Sequence, residues 1–125
     1  MEMREGRLVT TVRLEGQRFT VFEDALIDTG ASFTVVPPAI ADFLELETYR
    51  ESPQIPLTTA SGLIEAPVRV LEAIKVGTQT VTGLPVVVHR IPDPAPAKVL
   101  IGMNFIHRAK LEVNGKAQTF EIEDP

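Results

Sequence analysis

Period-two alternation dominates the pattern of apolar and polar positions. Leu8, Thr10, Val12 and Leu14 form one face of the first segment; Val9, Thr11, Arg13 and Glu15 form the other, which turns polar along its length. Such alternation predicts a half-buried strand. Gly16-Gln17 interrupts it and the pattern resumes at Phe19, which predicts a hairpin into a second strand over 20–27. That strand ends in Ala25-Leu26-Ile27, an apolar run expected to be buried on both faces. Asp28-Thr29-Gly30-Ala31-Ser32 has turn composition, and residues 33–36 predict a short strand. Pro37-Pro38 then opens a helix over about 38–44, with proline in the first turn where a helix tolerates it. Residues 47–56 are polar and proline-bearing and read as a loop. Between 57 and 66 two β-prone arms flank Ser61-Gly62, small residues suited to a hairpin tip. Strands follow over 68–76 and 80–88, joined at Gly77-Thr78, with Pro85 pointing to an edge or a bulge. Residues 91–98 form a proline-rich connector, 99–102 a short buried strand and 103–109 a helical turn or two. The last strands are 110–113 and 117–122, joined by Asn114-Gly115, the strongest short hairpin signal. Many short strands and one or two short helices predict an all-β domain, a small barrel or sandwich.

Composition narrows the function. At 125 residues with no linker or low-complexity tract, the chain reads as one domain, 1–125. With no cysteine there is no disulfide framework, thiolate metal site or cysteine nucleophile. Only His89 and His107 remain for a zinc site or a serine triad, and both read as surface residues, so no metal is expected. A formal charge of −5 argues against a nucleic-acid partner, as does the lack of tryptophan. No apolar stretch approaches the roughly 20 residues a membrane helix needs. The charged start, Met1-Glu2-Met3-Arg4-Glu5, does not resemble a signal peptide, so the expected location is cytoplasmic, away from membranes.

Asp28-Thr29-Gly30 is the tripeptide to weigh. All three are turn residues, and a given tripeptide turns up by chance in roughly one or two chains per hundred of this length. Its context adds weight. An acid at the tip of an apolar strand sits where burial can act on its ionisation, and the adjacent glycine lets a substrate backbone approach closely.

Ala25-Leu26-Ile27-Asp28-Thr29-Gly30-Ala31-Ser32 resembles the active-site motif of the retropepsin-like aspartic proteases. Thr58-Thr59-Ala60-Ser61-Gly62 falls where that family carries a flap hairpin. Val99-Leu100-Ile101-Gly102-Met103-Asn104-Phe105-Ile106 matches its apolar-apolar-Gly motif leading into a short helix, more like the microbial and cellular members than the viral ones. The three elements occur in order over about residues 8–114. The resemblance implies a closed retropepsin-like barrel, a single lobe of the acid-protease fold, with residues 117–122 as an additional C-terminal strand.

The resemblance also implies the chemistry. Family members hydrolyse peptide bonds with water held between two carboxylates, without cofactor or metal. This chain has one Asp-Thr-Gly and no room for two lobes, so an active enzyme would be a homodimer with Asp28 of each chain meeting on a twofold axis. By resemblance Asp28 is the catalytic acid and base, Thr29 bonds across the axis, and Gly30 offers its backbone to the peptide or protein substrate. Ala31, Ser32, Ala60, Ser61, Gly62 and Leu63 would contact substrate from the loop and the flap. Ala31 stands where two-lobed pepsins carry a serine bonded to the aspartate. Its lack of a hydroxyl predicts a pH optimum of roughly 5–6, less acidic than pepsin's. The flap has no aromatic; the lone Tyr49 lies in the preceding loop. In the viral enzymes the termini interleave to form the dimer sheet, whereas here Asn114-Gly115 turns the chain back, which should alter that interface. The alternative function is a catalytically silent peptide-binding or dimerisation module on the same fold. A phosphotransferase is disfavoured, because it would need a second nearby aspartate and a parallel α/β sheet.

Overall fold

In the computed structural model, which describes residues 1–125, the strands are β1 (Val9–Glu15), β2 (Thr20–Ile27), β3 (Thr34–Val36), β4 (Glu47–Thr48), β5 (Gln54–Thr59), β6 (Gly62–Val76), β7 (Gln79–Val88), β8 (Val99–Ile101), β9 (Lys110–Asn114) and β10 (Thr119–Glu123). Two short helices are present, α1 (Pro38–Phe43) and α2 (Met103–Ile106). Neither is long and apolar enough to cross a membrane. The main sheet runs β1-β2-β8-β3-β7-β6, and β6 pairs back onto β1, which closes a six-stranded barrel. Inside lie Val12, Leu14, Leu71, Ile74, Ile101 and Phe105, all essentially inaccessible. This is the all-β barrel that the alternation and the resemblance predict.

Several local expectations change. Val9, on the face read as polar, is buried; three residues from Val12, it faces the other side of β1. The loop expected over 47–56 begins with β4, which pairs with Val70 and Arg69 of β6, and ends inside β5. The two strands expected on either side of Pro67 are one continuous fifteen-residue β6. The irregularity expected at Pro85 lies at Gly83, which has φ +64°. There the buried positions are spaced by three on both paired strands, Leu71 to Ile74 and Val81 to Leu84, so both change face together.

The terminal hairpin departs most. Its turn is not a two-residue Asn-Gly link: Asn114 pairs with Thr119 across a four-residue loop. The Asn114 carboxamide oxygen accepts from Ala117 N at 3.0 Å, and Gln118 adopts φ +58°. Asparagine here caps a wider loop instead of occupying a tight turn. β9 and β10 form their own two-stranded sheet and do not extend the barrel. The amino terminus joins them within the same chain. Phe120 N donates to Met1 O and Met3 N to Gln118 O. Phe120 and Ile122 on the inner face of β10 are buried in the main core.

Candidate active site

The strand order fixes the loop that carries Asp28. β2 runs parallel to β8 and β3 runs antiparallel to it, so residues 28–33 must cross the end of β8 to pass from one to the other. The crossing is tied down from below. Asp28 N donates to Ile101 O at 2.9 Å, Met103 N to Ala31 O at 2.7 Å and Asn104 N to Ser32 O at 3.1 Å. The first backbone N–H groups of α2, which have no partner inside the helix, thus hold two carbonyls of the loop.

Within the loop Gly30 N donates to Asp28 Oδ1 at 2.9 Å, a bond to a carboxylate oxygen that fixes the rotamer of the acid. Asp28 and Ala31 are half-buried, while Thr29, Gly30 and Ser32 are exposed. The Thr29 hydroxyl makes no hydrogen bond within its own chain. The loop therefore presents one carboxylate, a free hydroxyl and an open backbone on a rigid base.

Beneath it lies a polar pair that the sequence pattern did not single out. Thr34 is the one buried polar side chain of the protein. Its hydroxyl donates to Asn104 Oδ1 at 2.9 Å and accepts from Gly102 N at 3.2 Å. Asn104 Oδ1 also accepts from Thr34 N at 2.9 Å, and its amide nitrogen donates to Pro85 O at 2.7 Å. One carboxamide thus links β3, α2 and β7. No spacing signal marks it, since an isolated threonine and asparagine in apolar surroundings read as ordinary turn or helix residues. Gly102 is buried, and a Cβ there would run into the Phe33 backbone. Gly102, the residue before α2, thus lets the chain pass directly against the Phe33 backbone.

The second group of sequence candidates sits apart, on the β5–β6 hairpin, which extends outside the barrel path. Its tip differs from expectation by one residue. Thr59 pairs with Gly62, so Ala60 and Ser61 are the turn and Gly62, with φ +114°, begins β6. Thr59 Oγ1 donates to Gly62 O and accepts from Ser61 N, which closes the turn locally. Ala60, Ser61, Gly62 and Leu63 are all exposed, Leu63 at 71%. No hydrogen bond joins this tip to the Asp28 loop. The structure therefore brings residues 28–32 together and keeps 60–63 as a separate group.

Comparison with known proteins gives a family and a fold. A family model described as aspartyl protease matches residues 10–105. Among solved structures, the chain is similar to a retropepsin-like aspartic protease from Rickettsia conorii, with a TM-score of 0.68 and 18% sequence identity, over 98% of this chain and 88% of that one. At that identity the likeness shows the fold. No curated protein sequence matches the chain.

Proposed function

This chain belongs to the aspartyl protease family, and from that premise we propose that residues 1–125 form one domain of a homodimeric aspartic endopeptidase. The observation that carries the reading is the Asp28-Thr29-Gly30 loop, held rigid on β8 and α2 while presenting a single carboxylate. One carboxylate cannot act as both acid and base toward the same water. A second Asp28 from a twofold-related chain completes the pair.

Retropepsin-like and pepsin-like dyads are the standing example of two carboxyls that share one proton, because like charges so close cannot both ionise. The ionised Asp28 takes a proton from the water, whose oxygen then bonds to the peptide carbonyl carbon. The neutral Asp28 gives its proton to the carbonyl oxygen, producing a neutral gem-diol. Collapse returns a proton to the carboxylate pair and delivers one to the departing nitrogen as the C–N bond breaks. The two apparent ionisations belong to the pair and not to either residue. Thr29, with no partner in its own chain, bonds across the axis and keeps the loops coplanar. Gly30 and the neighbouring Ala31 and Ser32 bind substrate backbone from below. The β5–β6 hairpin with Ala60, Ser61, Gly62 and Leu63 closes over it and excludes water.

The test is cleavage of an unfolded protein substrate across pH 3–7 by the wild type and by Asp28→Asn at equal concentration. The wild type is expected to cleave best near pH 5–6, and the variant to lose at least about 10³-fold in rate. Equal cleavage by both chains, or none by either at any pH, would favour the silent peptide-binding module.

A further inference from the structure

A cavity of about 660 Å3 lies between β2, α1 and the connector into β8. Its size is that of a small-molecule site, roughly 300–1,000 Å3. It sits away from the Asp28 loop. Ala25 pairs with Val99 in the parallel β2–β8 pair, so Glu23 and Lys98, which both line the cavity, mark the same end of it. Asp28 follows the other end of β2, roughly 17 Å from Glu23 at about 3.3 Å per residue.

One wall of the cavity is apolar and stiff. Val21, Ile40, Phe43 and Ile91 line it, and Pro37-Pro38 fixes the entry to α1. Phe43 is 54% exposed, yet its ring is held against Phe19 with centroids 5.3 Å apart. Arg18 in turn lies over Phe19 and pairs with Glu45. An exposed ring that is already held loses little freedom when a ligand covers it.

The charges beside that wall are incompletely paired. Glu23 is half-buried on the inner face of β2, in the row Val21, Ala25 and Ile27, with buried Val12 across from it. Its carboxylate has no ion pair and accepts no hydrogen bond within the chain. Lys98, exposed at the entry to β8, is also without an ion pair. Arg90 and Asp93, which line the cavity too, stand 3.9 Å apart and offset each other. Two free charges of opposite sign therefore share the cavity with the apolar wall. A half-buried carboxylate without a partner is unfavourable, and a ligand cation beside it recovers the loss.

This set of groups selects its ligand. A simple anion is repelled by Glu23 and a simple cation by Lys98. A metal ion finds one free carboxylate, and no cluster of histidine and acidic side chains forms in the chain. A molecule with an apolar body and separate positive and negative ends satisfies all three features. We propose that this cavity binds a short hydrophobic peptide with both termini free. Its ammonium meets Glu23, its carboxylate meets Lys98, and its aliphatic side chains lie against Ile40 and Phe43. None of these residues belongs to the Asp28 loop or to the β5–β6 hairpin, so the site stands or falls apart from the protease reading.

The test is calorimetric titration of the full chain carrying Asp28→Asn, which removes any turnover of the ligand. Leucyl-leucine is expected to bind with a Kd of about 0.1 mM. Acetylating its amine is expected to weaken binding about tenfold, and amidating its carboxylate about threefold, because Glu23 is half-buried and Lys98 is exposed. Adding Glu23→Gln should weaken leucyl-leucine about tenfold and leave the acetylated peptide within about twofold. Adding Lys98→Gln should weaken leucyl-leucine about threefold and leave the amidated peptide within about twofold. Phe43→Ala should weaken all three peptides, with thermal midpoints as a check on folding. No saturable binding up to about 5 mM, equal binding of free and blocked peptides, or an acetylated peptide that still responds to Glu23→Gln overturns the proposal. Amide shifts confined to residues 28–32 on titration overturn it as well. A chain that binds the peptide in this way while its wild type cleaves nothing overturns the protease alone; a wild type that cleaves without such binding overturns the cavity alone.

Discussion

Gly102 and Asn104 govern how accurately Asp28 is held, although neither faces the loop's open side. A Cβ on Gly102 has no space, because the Phe33 backbone already occupies it. The neighbour in contact is main chain and cannot rotate away. Gly102→Ala is therefore expected to push the segment after Ser32 outward, costing about 1–3 kcal/mol as an overpacked site. The loss should appear both as a lower thermal midpoint and as reduced cleavage, since the displaced backbone is continuous with the loop that carries Asp28. A midpoint within about one degree of wild type would contradict the close approach. The sequence placed this glycine correctly in an apolar strand leading to a helix, and it marked Asp28, Thr29 and Gly30 through an unusual tripeptide. Thr34 and Asn104 stayed invisible for a physical reason. Their importance comes from three hydrogen bonds converging across 70 residues of chain, and nothing local in composition encodes that convergence.

Strands were legible where one face is buried and one wet, as in β2 and β10. The misreadings fall where pairing overrides local pattern. β4 is two residues long and exists because β6 extends far enough to receive it. β5 contains Pro56, and as an edge strand it spares the missing donor. The β1–β2 pair also carries an electrostatic contribution that pattern alone does not show. Asp24 on β2 faces Thr11 on β1 and accepts from Arg4 at 2.7 Å and from the Thr11 hydroxyl at 3.0 Å. The bonds from Arg4 and then Thr11 hold the Asp24 carboxyl below its usual 3.8. A carboxyl lowered in the folded state adds stability that is complete above the unfolded value and is lost as pH falls through the folded one. Both partners are about half exposed, so the contribution is small, about 0.5 kcal/mol. Arg4→Ala should thus be slightly less stable than wild type at neutral pH, with the gap steady down to about pH 5 and closing below 3.8. Denaturant melts across that range measure it; a gap that widens toward acid would reverse the sign and refute the assignment.

For the whole molecule, the proposed mechanism makes activity a property of chain pairs, because each chain brings one loop with one carboxylate. Two barrels must meet for any water to be held between two acids, so inactive chains should poison active ones. Asp28→Asn keeps the size and shape of the side chain and alters only its charge, so it is expected to pair with wild-type chains as well as they pair with each other. Above the dimer constant, with random exchange, a wild-type chain finds a wild-type partner with a probability equal to the wild-type fraction. A ninefold excess of Asp28→Asn should then cut cleavage per wild-type chain to about a tenth. A catalyst that worked as a single chain would show no loss at any excess. Titrating the inactive chain at fixed wild-type concentration therefore reads out directly whether the functional unit is one barrel or two.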